Sequence, residues 1–189
     1  GTLSIGTAGD VVVNRVDETG ALASQLTDTA LNGLETNQGN GVIVVATING
    51  HLTVDQPVNA SLGGNILLRA GTTGANDKDL LVNAAITSGS GHISLLANRD
   101  VKLVAVGDVA TGGGSVDIEA ANRTVEMTDG AVVTSNGGVI RVFAMGDIQV
   151  ASLNAGSGAL SLNTGAGGSV TDNGITDIDL VGGSLRIVA

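Results

Sequence analysis

The chain has no cysteine, a single proline (Pro57) and a single aromatic residue (Phe143) among 189 residues. Without cysteine there is no disulfide and no thiolate metal site. Without aromatics there is no conventional globular core of this size, because such cores draw their bulk from Phe, Tyr and Trp. Any core must be narrow and filled with Val, Ile, Leu and Ala. Basic residues are also scarce, with 8 Lys and Arg against 18 Asp and Glu and a formal net charge of −10. That balance keeps a β-rich object soluble and disfavours nucleic acid and anionic membrane surfaces as partners. No apolar run reaches about 18 residues, so no membrane insertion through a helix of this segment is expected.

Glycine and aliphatic residues are plentiful. Hydrophobic residues make up 42% of the chain, which is not a disordered composition. The 30 glycines punctuate a cassette, Gly-x-φ-x-φ-x-(Ala/Thr) with φ aliphatic. It starts at Gly1, Gly41, Gly64, Gly91, Gly114, Gly138, Gly158 and Gly183. Alternation of period two puts one face inward and one outward, which describes a half-buried strand. The glycine ahead of each strand is expected to supply a corner with positive φ. A second apolar segment follows most cassettes (11–13, 52–54, 80–82, 101–103, 125–127 and 148–150), and a weaker third closes several of them.

Successive cassettes lie 40, 23, 27, 23, 24, 20 and 25 residues apart. Such periods predict an all-β fold, a three-sided parallel β-helix (β-solenoid) of about eight turns with roughly 20–27 residues per turn. Residues 1–189 read as a single solenoid segment. Because the chain begins and ends inside a cassette, it reads as a fragment of a longer chain. The first interval calls for an insertion or irregular turn over residues 17–40. Leu22, Leu26, Ala30 and Leu34 have a partly helical spacing there, with Asp17 or Thr19 as a helix cap. A third strand with a long loop is the preferred alternative.

Chemistry is sparse. His51 and His92 fall on different faces of the predicted prism, so a shared site is not expected. Asn76, Asp77 and Asp79 form the best oxygen cluster for calcium, weighed against a solvated loop. Asp10, Asp100, Asp108 and Asp147 read as turn residues that bond their own backbone. Asp117 and Glu119 share a strand face, and Arg141 stands at the cassette position of Asp117 one turn later, which predicts a charge pair. No catalytic, cofactor-binding or metal-binding residue is expected. The outward face does carry apolar residues, namely Val42, Val44, Leu67, Leu96, Val139 and Phe143. These form a candidate contact strip, unless residues 17–40 of the same chain cover them.

Four segments carry a family resemblance: GGNILLRAG (63–71), GHISLLANRDVKLVA (91–105), GGSVDIEAANRTVEM (113–127) and GGVIRVFAMGDIQVA (137–151). They resemble the repeats of large bacterial exoproteins, the filamentous-haemagglutinin-like adhesins and giant surface or matrix proteins. The resemblance implies a right-handed β-helical stalk or fibre, extracellular or on the bacterial cell surface, with a role in adhesion, biofilm or surface structure. The expected function is that of a non-enzymatic structural segment. Its expected partners are further repeats or other copies stacked end to end, or a host or cell-surface ligand. Two alternatives stand beside it. One is a binding module presenting a receptor- or glycan-binding face, and the other is a carbohydrate-active enzyme, which requires convergent carboxylates along a groove.

Overall fold

A computed structural model describes residues 1–72, 77–174 and 179–189. Among the described residues there are strands and turns but no helix. The chain enters through β1 (Thr2–Ile5) and then leaves the body as a side arm. The arm comprises β2 (Thr7–Ala8), β3 (Val11–Val16), β4 (Leu22–Asp28) and β5 (Leu31–Asn32). It rejoins the body through β6 (Leu34–Thr36), β7 (Ile43–Ala46) and β8 (His51–Val54). From β6 onward three strands make each turn, and each strand pairs in parallel with its equivalent on the neighbouring turns. The result is three seven-stranded sheets. The first is the cassette sheet, containing β7. The second sheet, containing β1 and β8, follows it along each turn. The third, containing β6, closes the turn.

The turn count differs from the predicted eight. Six complete turns run from β6 to Val170–Asp172, with Leu180–Val181 and Ser184–Val188 beginning another. The Gly1 cassette is the reason. Its strand β1 pairs with β8, placing Leu3 opposite Leu52 in the second sheet, not opposite Ile43 in the cassette sheet. Alternation is the same on all three sides of the prism, so the motif alone does not name the sheet. The other cassettes stack in register: Ile43 on Ile66, then Ile93, Val116, Ile140, Leu160 and Leu185. The first six are buried, whereas Leu185 is 53% exposed because no described strand lies beyond it.

The arm is not helical. β3 and β4 form an antiparallel hairpin, with Val13 opposite Leu26, and β2 continues it against β5. Asp17 closes the tip as a turn residue. Its Oδ1 accepts hydrogen bonds from the backbone N–H groups of Thr19 (2.9 Å) and Ala21 (3.0 Å), while Gly20 takes the left-handed φ of 83° that the reversal requires. Thr19 Oγ1 donates to the same oxygen (2.6 Å), and these bonds, led by that hydroxyl, hold the Asp17 carboxyl below its usual range.

The core follows from stacking. Inward residues of every turn, such as Leu68, Leu95, Ile118 and Val142, lie one above another and are fully buried or nearly so. No turn closes its own apolar face; each is completed by its neighbours.

The cassette glycines serve another purpose than the one expected. Those from Gly64 to Gly158 do not have positive φ; left-handed backbone falls on neighbours such as Gly113 and Gly137. They are required by close approach. A Cβ on Gly114 would stand 2.0 Å from the carbonyl oxygen of Gly91, and one on Gly138 would stand 1.9 Å from that of Gly114. Gly9 in the arm has open space around it. Gly114→Ala should therefore lower the unfolding free energy by about 3 kcal/mol or more, while Gly9→Ala stays within about 0.5 kcal/mol. Chemical denaturation of the two variants checks this; equal, small effects would contradict the close-approach account.

Candidate functional site

The surface offers two candidate sites: the polar corners between sheets and the outward face of the cassette sheet. At the corners the aspartates do not bond their own backbone, as the sequence suggested. Asp100 Oδ1 accepts the backbone N–H of Thr124 at 2.9 Å, Asp108 Oδ1 that of Val132 at 2.9 Å, and Asp147 Oδ1 that of Ser169 at 2.8 Å. Each donor belongs to the next turn. Asp10 Oδ1 reaches across the arm in the same way, to Ala30 N–H at 2.6 Å. A corner residue has left its strand ladder, and its N–H needs another acceptor. The side chain one turn earlier supplies it. The signal was present in the sequence as polar residues recurring one turn apart, but not as any local motif.

Both histidines belong to this system. His51 Nδ1 accepts the N–H of Asp79 (3.1 Å), and His92 Nδ1 accepts that of Ser115 (3.0 Å). An accepting Nδ1 leaves the ring proton of the neutral imidazole on Nε2. The structure keeps the two rings in separate sheets' corners and brings them to no common site. Asp55 ties turns together at another corner, accepting from Ser4 Oγ (2.5 Å) and Asn83 Nδ2 (2.9 Å). Those bonds, with Ser4 first, hold its carboxyl below the usual range.

The densest charge cluster was missed at the sequence level. Asp79 and Asp100 are buried, at 7% and 5% exposure. The Arg99 guanidinium lies between them. Its Nε donates to Asp79 Oδ1 at 2.6 Å, its Nη2 donates to Asp79 Oδ2, and Asp100 Oδ2 is 3.3 Å away. His51 Nδ1 stands 3.5 Å from Asp79 Oδ2. Of the calcium candidates, Asp79 is therefore engaged by Arg99, and Asp77 pairs with Lys78 at 3.0 Å. Asn76 lies outside the described residues. Among the described residues no three His, Cys, Asp or Glu side chains converge as a metal ion would require.

On the cassette sheet, Asp117 and Arg141 are neighbours in register, as the cassette positions predicted. Arg141 Nη1 donates to Asp117 Oδ1 (2.6 Å) and to Glu119 Oε2 (2.9 Å), and the guanidinium carbon sits 5.3 Å from the centre of the Phe143 ring. The two carboxylates thus share one cation instead of facing each other across a groove. The second sheet repeats the device, with Lys102 Nζ on Glu126 Oε2 at 2.7 Å, a bond that raises the lysine above its ordinary range.

The proposed contact strip divides into two parts. Val42 and Val44 are 59% and 62% exposed, and Leu67 stacks directly on Val44. Leu96 stands in the adjoining column, flanked by Arg69 and Glu119. Val139 (47% exposed) and Phe143 lie two turns further along, with Arg141 between them. Ile48 and Leu62, at the corners flanking the first part, are 71% and 64% exposed and enlarge it. Both are apolar residues in turn positions, a signal the cassette pattern passes over. Residues 17–40 do not cover this surface. The arm leaves the body between the second and third sheets, the corner opposite the cassette sheet.

Burial separates the two ionic clusters energetically. Arg99→Met removes the bidentate partner of buried Asp79, while Asp100 keeps Arg123 at 3.9 Å, and should cost about 3 kcal/mol. Arg141→Met breaks a pair whose members are each more than a third exposed and should cost at most about 1 kcal/mol. Urea unfolding of both variants checks the ranking, and a reversed order would contradict it. No protein family, no curated protein and no solved structure shows a match to the chain.

Proposed function

We propose that the chain is a non-enzymatic structural segment of an extracellular bacterial β-helical protein, a stalk, fibre or matrix component of the filamentous-haemagglutinin-like kind. The observation that supports this reading is the continuity of the stack. One uninterrupted aliphatic core runs through six turns, and at several corners a side-chain acceptor ties one turn to the next. Such a rod holds its ends apart at a fixed distance, about 4.8 Å per turn. Its surface carries ion pairs between turns, Lys102 with Glu126 and Arg141 with Asp117 and Glu119.

Axial growth fits the same reading. β7 and the strand Ser184–Val188 are edge strands of one sheet and carry the same cassette. An apolar cavity of about 320 Å³, lined by Leu3, Ile5, Leu34 and Val45, opens beside β1 and β7. Further turns, of the same polypeptide or of another copy, add in register on these faces and close the exposed core.

Antibodies raised against the chain should label intact, unpermeabilised cells of the organism that makes it, or the matrix around them. Labelling that requires lysis of the cells would contradict the surface reading.

A further inference from the structure

We propose that two copies of this chain associate laterally, with the arm of one seated on the apolar patch that the cassette sheet presents in its first two turns. This goes beyond the axial stacking described above and does not depend on it. The two surfaces lie on opposite sides of the prism, so one chain cannot satisfy both within itself.

The arm is an unsupported ribbon. Val11, Val12, Val13, Val16, Leu22 and Leu26 are between 42% and 63% exposed, and no core lies beneath them. A two-stranded hairpin is marginally stable alone in water and gains its order by packing on a further surface. β7 has the complementary defect. It reads Ile-Val-Val-Ala, apolar on both faces, in the manner of a strand covered on both sides. Its inward face meets the core, while its outward face does not meet any described residue layer. Val42, Val44, Ile48, Leu62 and Leu67 together leave an apolar surface there.

Charge and size match the two surfaces. The arm carries Asp10, Asp17, Glu18 and Asp28 against Arg15, a net charge of −3. Across the first three strands of the cassette sheet the one charged residue is Arg69. In a chain with a net charge of −10, that patch is a local positive spot without a carboxylate of its own. Val11, Val13, Leu26 and Asp28 share one face of the hairpin, because Val11 pairs with Asp28 and Val13 with Leu26. That face offers aliphatic side chains to Val44 and Leu67 and a carboxylate to Arg69. Covering the patch removes on the order of 500 Å² of apolar area, and with its polar rim the contact reaches the roughly 800 Å² per partner of a stable association. The contact is heterologous, arm to patch, so each copy offers one of each and the array stays open unless its rotation closes a ring.

Sedimentation velocity on the 189-residue chain, over a concentration series, tests the proposal with two variants. V13K/L26K alters the arm and V42K/V44K alters the patch; all four positions are exposed, and far-UV circular dichroism confirms that each variant stays folded. The wild type should form oligomers that grow with concentration. Each variant alone should lose this growth and sediment as a smaller species than the wild type at every concentration. An equimolar mixture should give a one-to-one dimer, because one intact arm and one intact patch are then available. The threonine counterparts V13T/L26T and V42T/V44T keep strand propensity and should reproduce the pattern if a lysine variant fails to fold. R69E should weaken wild-type association by at least about tenfold at low salt. A wild type that stays monomeric throughout overturns the proposal. So does a patch variant that associates as well as the wild type, which would instead indicate arm-to-arm or axial contact, or a mixture that yields no dimer.

Discussion

The carbonyl oxygen of Gly91 occupies the space where a side chain on Gly114 would begin, 2.0 Å from the position of its Cβ. The same encounter recurs at Gly64, Gly91, Gly138 and Gly158, each against the preceding cassette glycine. This column of bare backbone lets the turns come together at strand spacing where the chain rounds the corner into the cassette sheet. Once they do, Ile66 falls on Ile93 and Leu68 on Leu95, and the inward side chains close into one narrow core. A core without aromatic bulk works only at this spacing, because aliphatic side chains must reach one another across three short sheets.

Polar groups follow from the same constraint. Strands stacked in parallel satisfy one another's backbone, but corner residues leave the ladder and would bury or strand their N–H groups. Asp100, Asp108, Asp147, His51 and His92 fill those gaps from one turn away. The buried carboxylates Asp79 and Asp100 extend this role inward, and Arg99 pairs with both. Surface charges on Asp117, Glu119 and Arg141 are paired along the stack in the same direction. These polar contacts thus run along the axis, from one turn to the next.

How far this was legible from the sequence depended on whether the information was local. Alternation around Ile93, Val116 and Ile140 identified strands, and equal cassette positions identified Asp117 and Arg141 as neighbours. Membership of a sheet was not local. β1 has the cassette pattern yet stacks on β8, because any alternating strand fits any side of the prism. The valines of β3 have the composition of a buried strand and lie in an exposed hairpin. Corner aspartates were visible as polar punctuation, but their partners lie 20 or more residues away, so a reading limited to neighbouring residues assigned them to their own backbone. The Arg99 cluster escaped for the same reason, since Asp79 comes from the preceding turn.

If stability resides in contacts between adjacent turns, it must be graded along the stack. Amide hydrogen exchange resolved by residue, at a concentration low enough to keep the chain monomeric, measures this directly. The account predicts slowest exchange in the central cassette strands Ile93–Ala97, Val116–Ala120 and Ile140–Ala144, with protection falling toward β7 and Ser184–Val188 and the arm exchanging fastest. Protection that is uniform from end to end, or an arm as protected as Val116–Ala120, would contradict it.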